Sequence, residues 1–198
     1  MNPLPRARAL AHELLLRQKP ARLPIKVERL CFEKNVVIDS LGHYLALTND
    51  TREGLCVGAQ GALDDGCTLI KRWKGKETYI ILYNERVCSG RRRNFTLAHE
   101  LGHIYLGHTG DDAAQERQAN AFAAQLLLPR ILADEYLRTL RDTTDPARAL
   151  ADAFDISVSM SRLHLRYPLR EPYTDSEKAL LVRYRAALPH PNEPEILY

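Results

Sequence analysis

Apolar positions recur every three or four residues near the start of the chain, where Ala7, Leu10, Ala11, Leu14 and Leu15 mark one face of an amphipathic helix over 6–18 that ends before Pro20. A second short helix is expected from Pro24, since proline is tolerated in a first turn, and it would bury Ile25, Val27, Leu30 and Cys31. The period then changes. Val36-Val37-Ile38 is a short β-branched run, and Tyr44-Leu45-Ala46-Leu47 reads as a strand or a linker. Leu55-Cys56-Val57, Thr68-Leu69-Ile70 and Thr78-Tyr79-Ile80-Ile81-Leu82-Tyr83 are better strands, separated by the hairpin signals Asp64-Asp65-Gly66 and Lys74-Gly75-Lys76. The expectation is a small antiparallel sheet, with 78–83 as the edge strand that receives an extended peptide.

Downstream the pattern is helical. A nearly all-apolar helix covers the mid-nineties onward, with Asn94 as its expected cap, and a second begins at Glu116 and runs to Pro129. Ile131, Leu132, Tyr136, Leu137 and Leu140 mark a third. Asp145-Pro146 opens another, and Ser157 caps a further one carrying Met160, Leu163 and Leu165, so that 147–166 resembles a helix-turn-helix. Thr174-x-x-Glu177 is a capping-box pattern for a helix over 175–187. The fold class is therefore α+β: a small sheet on a metal-binding helix, then a helical region. The expected divisions are 1–129, 130–167 and 168–198, the last a helix and a proline-rich tail.

The chemistry lies in His99-Glu100-Leu101-Gly102-His103. Histidines four apart on a helix lie on one face, where both imidazoles can reach a single ion at about 2 Å. Glu100 is turned roughly 100° from His99 and stands beside such an ion, placed to take a proton from water. Phe95, Leu97, Ala98, Leu101, Ile104, Tyr105 and Leu106 surround these polar groups with apolar side chains, and burying them there is costly without a partner.

A catalytic zinc site takes three protein ligands and leaves a fourth position for water. The candidates for the third are His108, Asp111, Asp112 and Glu116. His108 lies five residues past His103, off the face they would share, and the two aspartates read as a turn and a helix cap. Glu116 is the best placed, with the small residues Ala119 and Ala123 following it on the same helix face.

The segments Phe95-Thr-Leu-Ala-His-Glu-Leu-Gly-His103 and Glu116-x-x-Ala-Asn-x-Phe-Ala-Ala-x-Leu-Leu-Leu-Pro129 resemble the ImmA/IrrE family of zinc metallopeptidases. The resemblance is sharp over about 91–129. It implies that the glutamate opening the second motif, here Glu116, is the third metal ligand. Family members often carry another glutamate two residues on, where this chain has Gln118. It also implies a protein substrate: a helix-turn-helix transcriptional repressor encoded nearby, whose cleavage switches on a phage, mobile-element or stress-response programme. On that reading His99, His103 and Glu116 hold Zn2+, Glu100 is the general base, and Tyr105, His108 and Tyr136 are candidates for oxyanion stabilisation. A His/His/Glu set also accepts other divalent ions.

Composition narrows the alternatives. A net charge of +3, from 28 basic and 25 acidic residues, is too balanced to argue for nucleic acid. The basic run Arg91-Arg92-Arg93 is either a solvated loop or a dock for an acidic or backbone-rich segment. No apolar run is long enough to span a membrane, and the start lacks a signal-peptide core, so a cytoplasmic location is expected. The cysteines Cys31, Cys56, Cys67 and Cys88 show no C-x-x-C pairing and read as free, mostly buried thiols. Two competing readings remain: a non-catalytic zinc module that sequesters a transcription regulator, as in a toxin–antitoxin-like pair, and direct DNA contact through 147–166. Arg162, His164 and Arg166 are a thin basis for the second, so packing or substrate docking is the expected role of that segment.

Overall fold

The computed structural model describes residues 4–51, 65–87, 90–110, 112–140, 144–168 and 170–189. Among them are three strands and eight α-helices: α1 (Leu4–Arg17), β1 (Val36–Ser40), α2 (Leu41–Leu47), β2 (Gly66–Trp73), β3 (Lys76–Tyr83), α3 (Gly90–Leu106), α4 (Ala113–Leu127), α5 (Arg130–Thr139), α6 (Pro146–Ala153), α7 (Val158–Arg166) and α8 (Asp175–Tyr184). The α+β expectation holds. The sheet is mixed rather than wholly antiparallel, because β1 pairs parallel to β3 while β2 pairs antiparallel to it. The order β1-β3-β2 makes β3 the central strand, not the edge, and leaves β2 with an outer edge among the described residues. Lys74 and Gly75, both at positive φ (47° and 76°), form the two-residue turn between β2 and β3. The expected strand at 55–57 and the signal at Asp64 lie outside the described residues.

Alternation sends the two faces of the sheet to different partners. Ile81, Tyr79, Val36 and Ile38 join the main core, which runs from Ala7 in α1 to Leu188. Leu82, Ile80, Leu69 and Cys67 form a smaller cluster with Leu41, Tyr44 and Leu45. Those last three residues explain why 41–47 is helical. Their i, i+3, i+4 spacing lays one helix face on the sheet, and Ser40 caps the helix by accepting from the His43 N–H at 3.1 Å.

The segment after Pro24 is a single 3₁₀ turn, Val27–Arg29, rather than a helix; Ile25 and Val27 are buried, but Cys31 is exposed. Asn94 accounts for this. It does not cap α3, which begins at Gly90, but sits buried one turn inside. Its amide accepts from the Val27 N–H at 3.0 Å and donates to the Ile25 carbonyl at 2.8 Å, pinning an extended chain to the helix. Cys31 is the free thiol expected, though exposed, whereas Cys67 departs from expectation in being disulfide-bonded.

Arg91, Arg92 and Arg93 are neither a loop nor an open patch. They occupy the first turns of α3 and pair with acids from three directions. Arg92 reaches Asp65 at 2.7 Å, Arg93 reaches Glu28 at 3.1 Å, and Arg91 reaches Asp152 at 2.8 Å and Asp155 at 3.0 Å. Lys26 joins Arg91 on Asp155, at the turn of the helix-turn-helix-like pair α6–α7. Burial acts to raise the Asp155 carboxyl, but the hydrogen bonds from Lys26 and Arg91 hold it below the usual range.

The α3–α4 pair is set by close contact. A Cβ at Gly102 would lie 3.1 Å from both the Cα and the carbonyl oxygen of Ala119, so backbone meets backbone where α3 crosses α4. α1 packs behind α4, and α8 packs on α1 and α5. The hold on α8 is polar and buried: the Arg130 guanidinium meets the Glu177 carboxylate at 2.8 and 2.9 Å, and Arg130 also donates to the Glu171 carbonyl. The expected capping box of Thr174 and Glu177 is present.

Two outcomes are expected. Gly102→Val destabilises the fold by about 1–3 kcal/mol through overpacking, read from the denaturant midpoint. Glu177→Gln costs about 3–5 kcal/mol at neutral pH by leaving Arg130 buried without its counter-charge. Burial acts to raise the Glu177 carboxyl, yet the bonds from Arg130 and Thr174 hold it below its ordinary value. Its contribution is therefore complete above the unfolded pKa of about 4.3 and lost as pH falls through the lower folded value. Denaturation at neutral pH and at pH about 3 should show the gap between the two proteins narrowing.

Candidate metal centre

α3 presents His99 and His103 on one face, and α4 brings Glu116 to meet them. The His103 Nε2 stands 3.2 Å from one Glu116 oxygen, and the His99 Nε2 3.3 Å from the other. The two Nε2 atoms are 3.0 Å apart. A ligand atom from each residue lies within 4.8 Å of the others. Four donors at about 2.0–2.1 Å around a tetrahedral ion stand roughly 3.3 Å from one another, so the spacing suits such an ion.

The neighbours favour one set of tautomers. Asn120 Oδ1 only accepts, and it lies 3.0 Å from His99 Nδ1, which therefore donates and leaves Nε2 with a bare lone pair. Gln118 Oε1 likewise accepts from His108 Nε2 at 3.4 Å, leaving His108 Nδ1 to accept from His103 Nδ1 at 3.1 Å. In that set His103 Nε2 also turns its lone pair toward the cluster. Two ring nitrogens and a carboxylate converge, a donor set that a cation at the centre would satisfy. The residues fit a divalent metal, and the hydrogen bonds behind them have the form that orients metal-bound imidazoles.

Glu100 stands beside this cluster on the side of the sheet. The Thr68 hydroxyl, from β2, donates to Glu100 Oε2 at 2.7 Å. The other expected candidates separate cleanly. Asp112 caps α4, accepting from the Ala114 and Gln115 N–H groups at 2.8 and 2.9 Å; these bonds, Gln115 first, hold its carboxyl below the usual range. Asp111 lies outside the described residues. Tyr136 is buried edge-on to Phe154 in the core, and Tyr105 stacks on Phe122 beside Lys34. Of the three expected oxyanion candidates, only His108 is hydrogen-bonded to the histidine pair among the described residues.

Thr68, Asn120 and Gln118 were not singled out for these roles by the sequence. Asn120 had a detectable signal, since it follows Glu116 by four residues and so shares its helix face. Thr68 had none, because its contact to Glu100 joins residues 32 apart in the chain. No helix among the described residues is long and apolar enough to cross a membrane.

No curated protein matches the chain. A family model described as an IrrE N-terminal-like domain, the M78 peptidases, matches residues 62–166. That stretch is more than half of the chain and contains Thr68, His99, Glu100, His103 and Glu116. On this match and the motifs it contains, the chain belongs to the metallopeptidase-like ImmA/IrrE family.

Proposed function

We propose that the protein is a zinc-dependent endopeptidase whose substrate is a helix-turn-helix transcriptional repressor encoded nearby. The observation that carries the reading is the convergence of His99, His103 and Glu116 beside Glu100, inside a chain of a peptidase family. His99, His103 and Glu116 would hold the ion. Zinc bound there supplies Lewis acidity toward a peptide carbonyl and lowers the pKa of water to about 7.

The chain's own groups do the rest. Thr68 holds one oxygen of Glu100 and so aims the carboxylate. Glu100 takes a proton from water as the water oxygen bonds to the carbonyl carbon, and delivers it to the amide nitrogen as the carbon–nitrogen bond breaks. Asn120 and the Gln118–His108 relay keep the imidazoles in the orientation the site needs. β2 is the sheet edge beside Glu100, and it is the strand on which an extended peptide would be laid by backbone pairing. The repressor as substrate is supported by family resemblance alone.

Zinc is expected to raise the melting temperature of the wild type and of Glu100→Gln, by mass action on the folded state. Glu116→Ala and His103→Ala should lose that shift. Glu100→Gln should lower peptide cleavage by about 10²–10⁴-fold. Co-expression with the neighbouring repressor tests the substrate: it should be cut by the wild type and intact with Glu100→Gln. A repressor that is inactivated equally by both, without being cut, would favour sequestration over proteolysis.

A further inference from the structure

The turn joining β2 to β3 is unusually charged. Residues 71–77 read Lys71-Arg72-Trp73-Lys74-Gly75-Lys76-Glu77, four cations against one acid. The end of the hairpin stands clear of the core: Lys71, Arg72, Lys76 and Glu77 are exposed, and Ile70 is 53% exposed. Lys71 stands 3.9 Å from Asp50, and Arg72 2.6 Å from Glu77, both at the surface. Lys76 is in no ion pair among the described residues. Exposed pairs of this kind are weak, so one is readily exchanged for an incoming carboxylate.

This charge is in fixed register with the candidate catalytic carboxylate. Thr68 ties β2 to Glu100 at 2.7 Å. Alternation places Ile70 and Arg72 on the same face as Thr68, with Lys71 on the other, and about 3.4 Å per residue sets Arg72 roughly 14 Å further along. A peptide added antiparallel to β2, the more stable pairing, runs the opposite way. Its residues opposite 70–72 therefore precede the one beside Glu100.

We infer that Lys71, Arg72 and Lys76 form a subsite selecting an extended protein segment with Asp or Glu about three to five positions N-terminal to the cut bond. The inference rests on the peptidase reading of the same site. An acidic peptide fits better than a nucleic acid for two reasons. The β2 edge, outermost among the described strands, offers backbone N–H and carbonyl groups at peptide spacing, and exposed Ile70 lies among the cations as an apolar contact.

The test uses peptide pools randomised around the cut, identical except for Glu, Gln or Lys in the N-terminal flank. Cleavage by the zinc-loaded protein is read by mass spectrometry, and binding to zinc-loaded Glu100→Gln by fluorescence anisotropy. The Glu pool should be preferred over the Lys pool by about 5–10-fold in both readouts, as two or three surface ion pairs allow. The ratio should fall toward one in about 0.5 M salt. The double variant K71E/R72E should invert it. Should that variant fail to fold, Lys76→Glu alone should lower the ratio. Equal binding of the Glu and Lys pools, a ratio untouched by salt or charge reversal, or a preference on the C-terminal flank would overturn the inference. Displacement of the Glu pool by a single-stranded oligonucleotide of equal charge would do the same. Selective binding without cleavage would support the subsite and defeat the peptidase reading, and cleavage without selectivity would do the reverse.

Discussion

Everything at the candidate centre depends on the crossing of two helices at backbone contact. Gly102 has no side chain, and Ala119 faces it. A larger group at either position would hold α4 away from α3. Glu116 lies one turn before Ala119 on α4, so the distance between the helix axes becomes the distance between its carboxylate and the two imidazoles. The small residues are what allow a carboxylate from a separate helix to meet the imidazole pair that one helix supplies.

The crossing brings three electron-rich atoms together, and that would be unfavourable without a cation. The protein does not leave the two imidazoles unoriented. It turns the donor nitrogens outward instead, toward Asn120 on one side and the His108–Gln118 relay on the other. Gln118 matters because an amide oxygen at that position accepts a hydrogen bond without adding a second negative charge.

What could be read in the sequence was what is local to one helix. The histidine pair, Glu100 beside it, Glu116 at the start of the next helix, the capping box at Thr174 and the caps at Ser157 and Asp145 all follow from spacings of three or four residues. Residues whose partners are distant in the chain were misread. Asn94 has the type and place of a cap, but its amide is used by Ile25 and Val27. The arginine run looked solvated because Asp65, Glu28, Asp152 and Asp155 lie far from it in the chain. Tyr44-Leu45-Ala46-Leu47 is too short for its period to decide between strand and helix, and the cap from Ser40 decided it. The position of β3 at the sheet centre followed from a parallel pairing with β1 that no run of residues announces.

The two ends of the chain have a mechanical role that their place outside the family-matched stretch would hide. α1 lies against the back of α4, and α8 lies against α1, with Tyr184 donating to the Leu15 carbonyl and the His12 ring between Ser176 and Gln125. Gln125 belongs to α4, the helix that carries Glu116. Terminus, metal helix and terminus are thus joined like the stones of an arch, each leaning on the next. Transplanting the motif helices into another scaffold would have to carry both flanking helices with them, or the carboxylate would lose the backing that sets its reach.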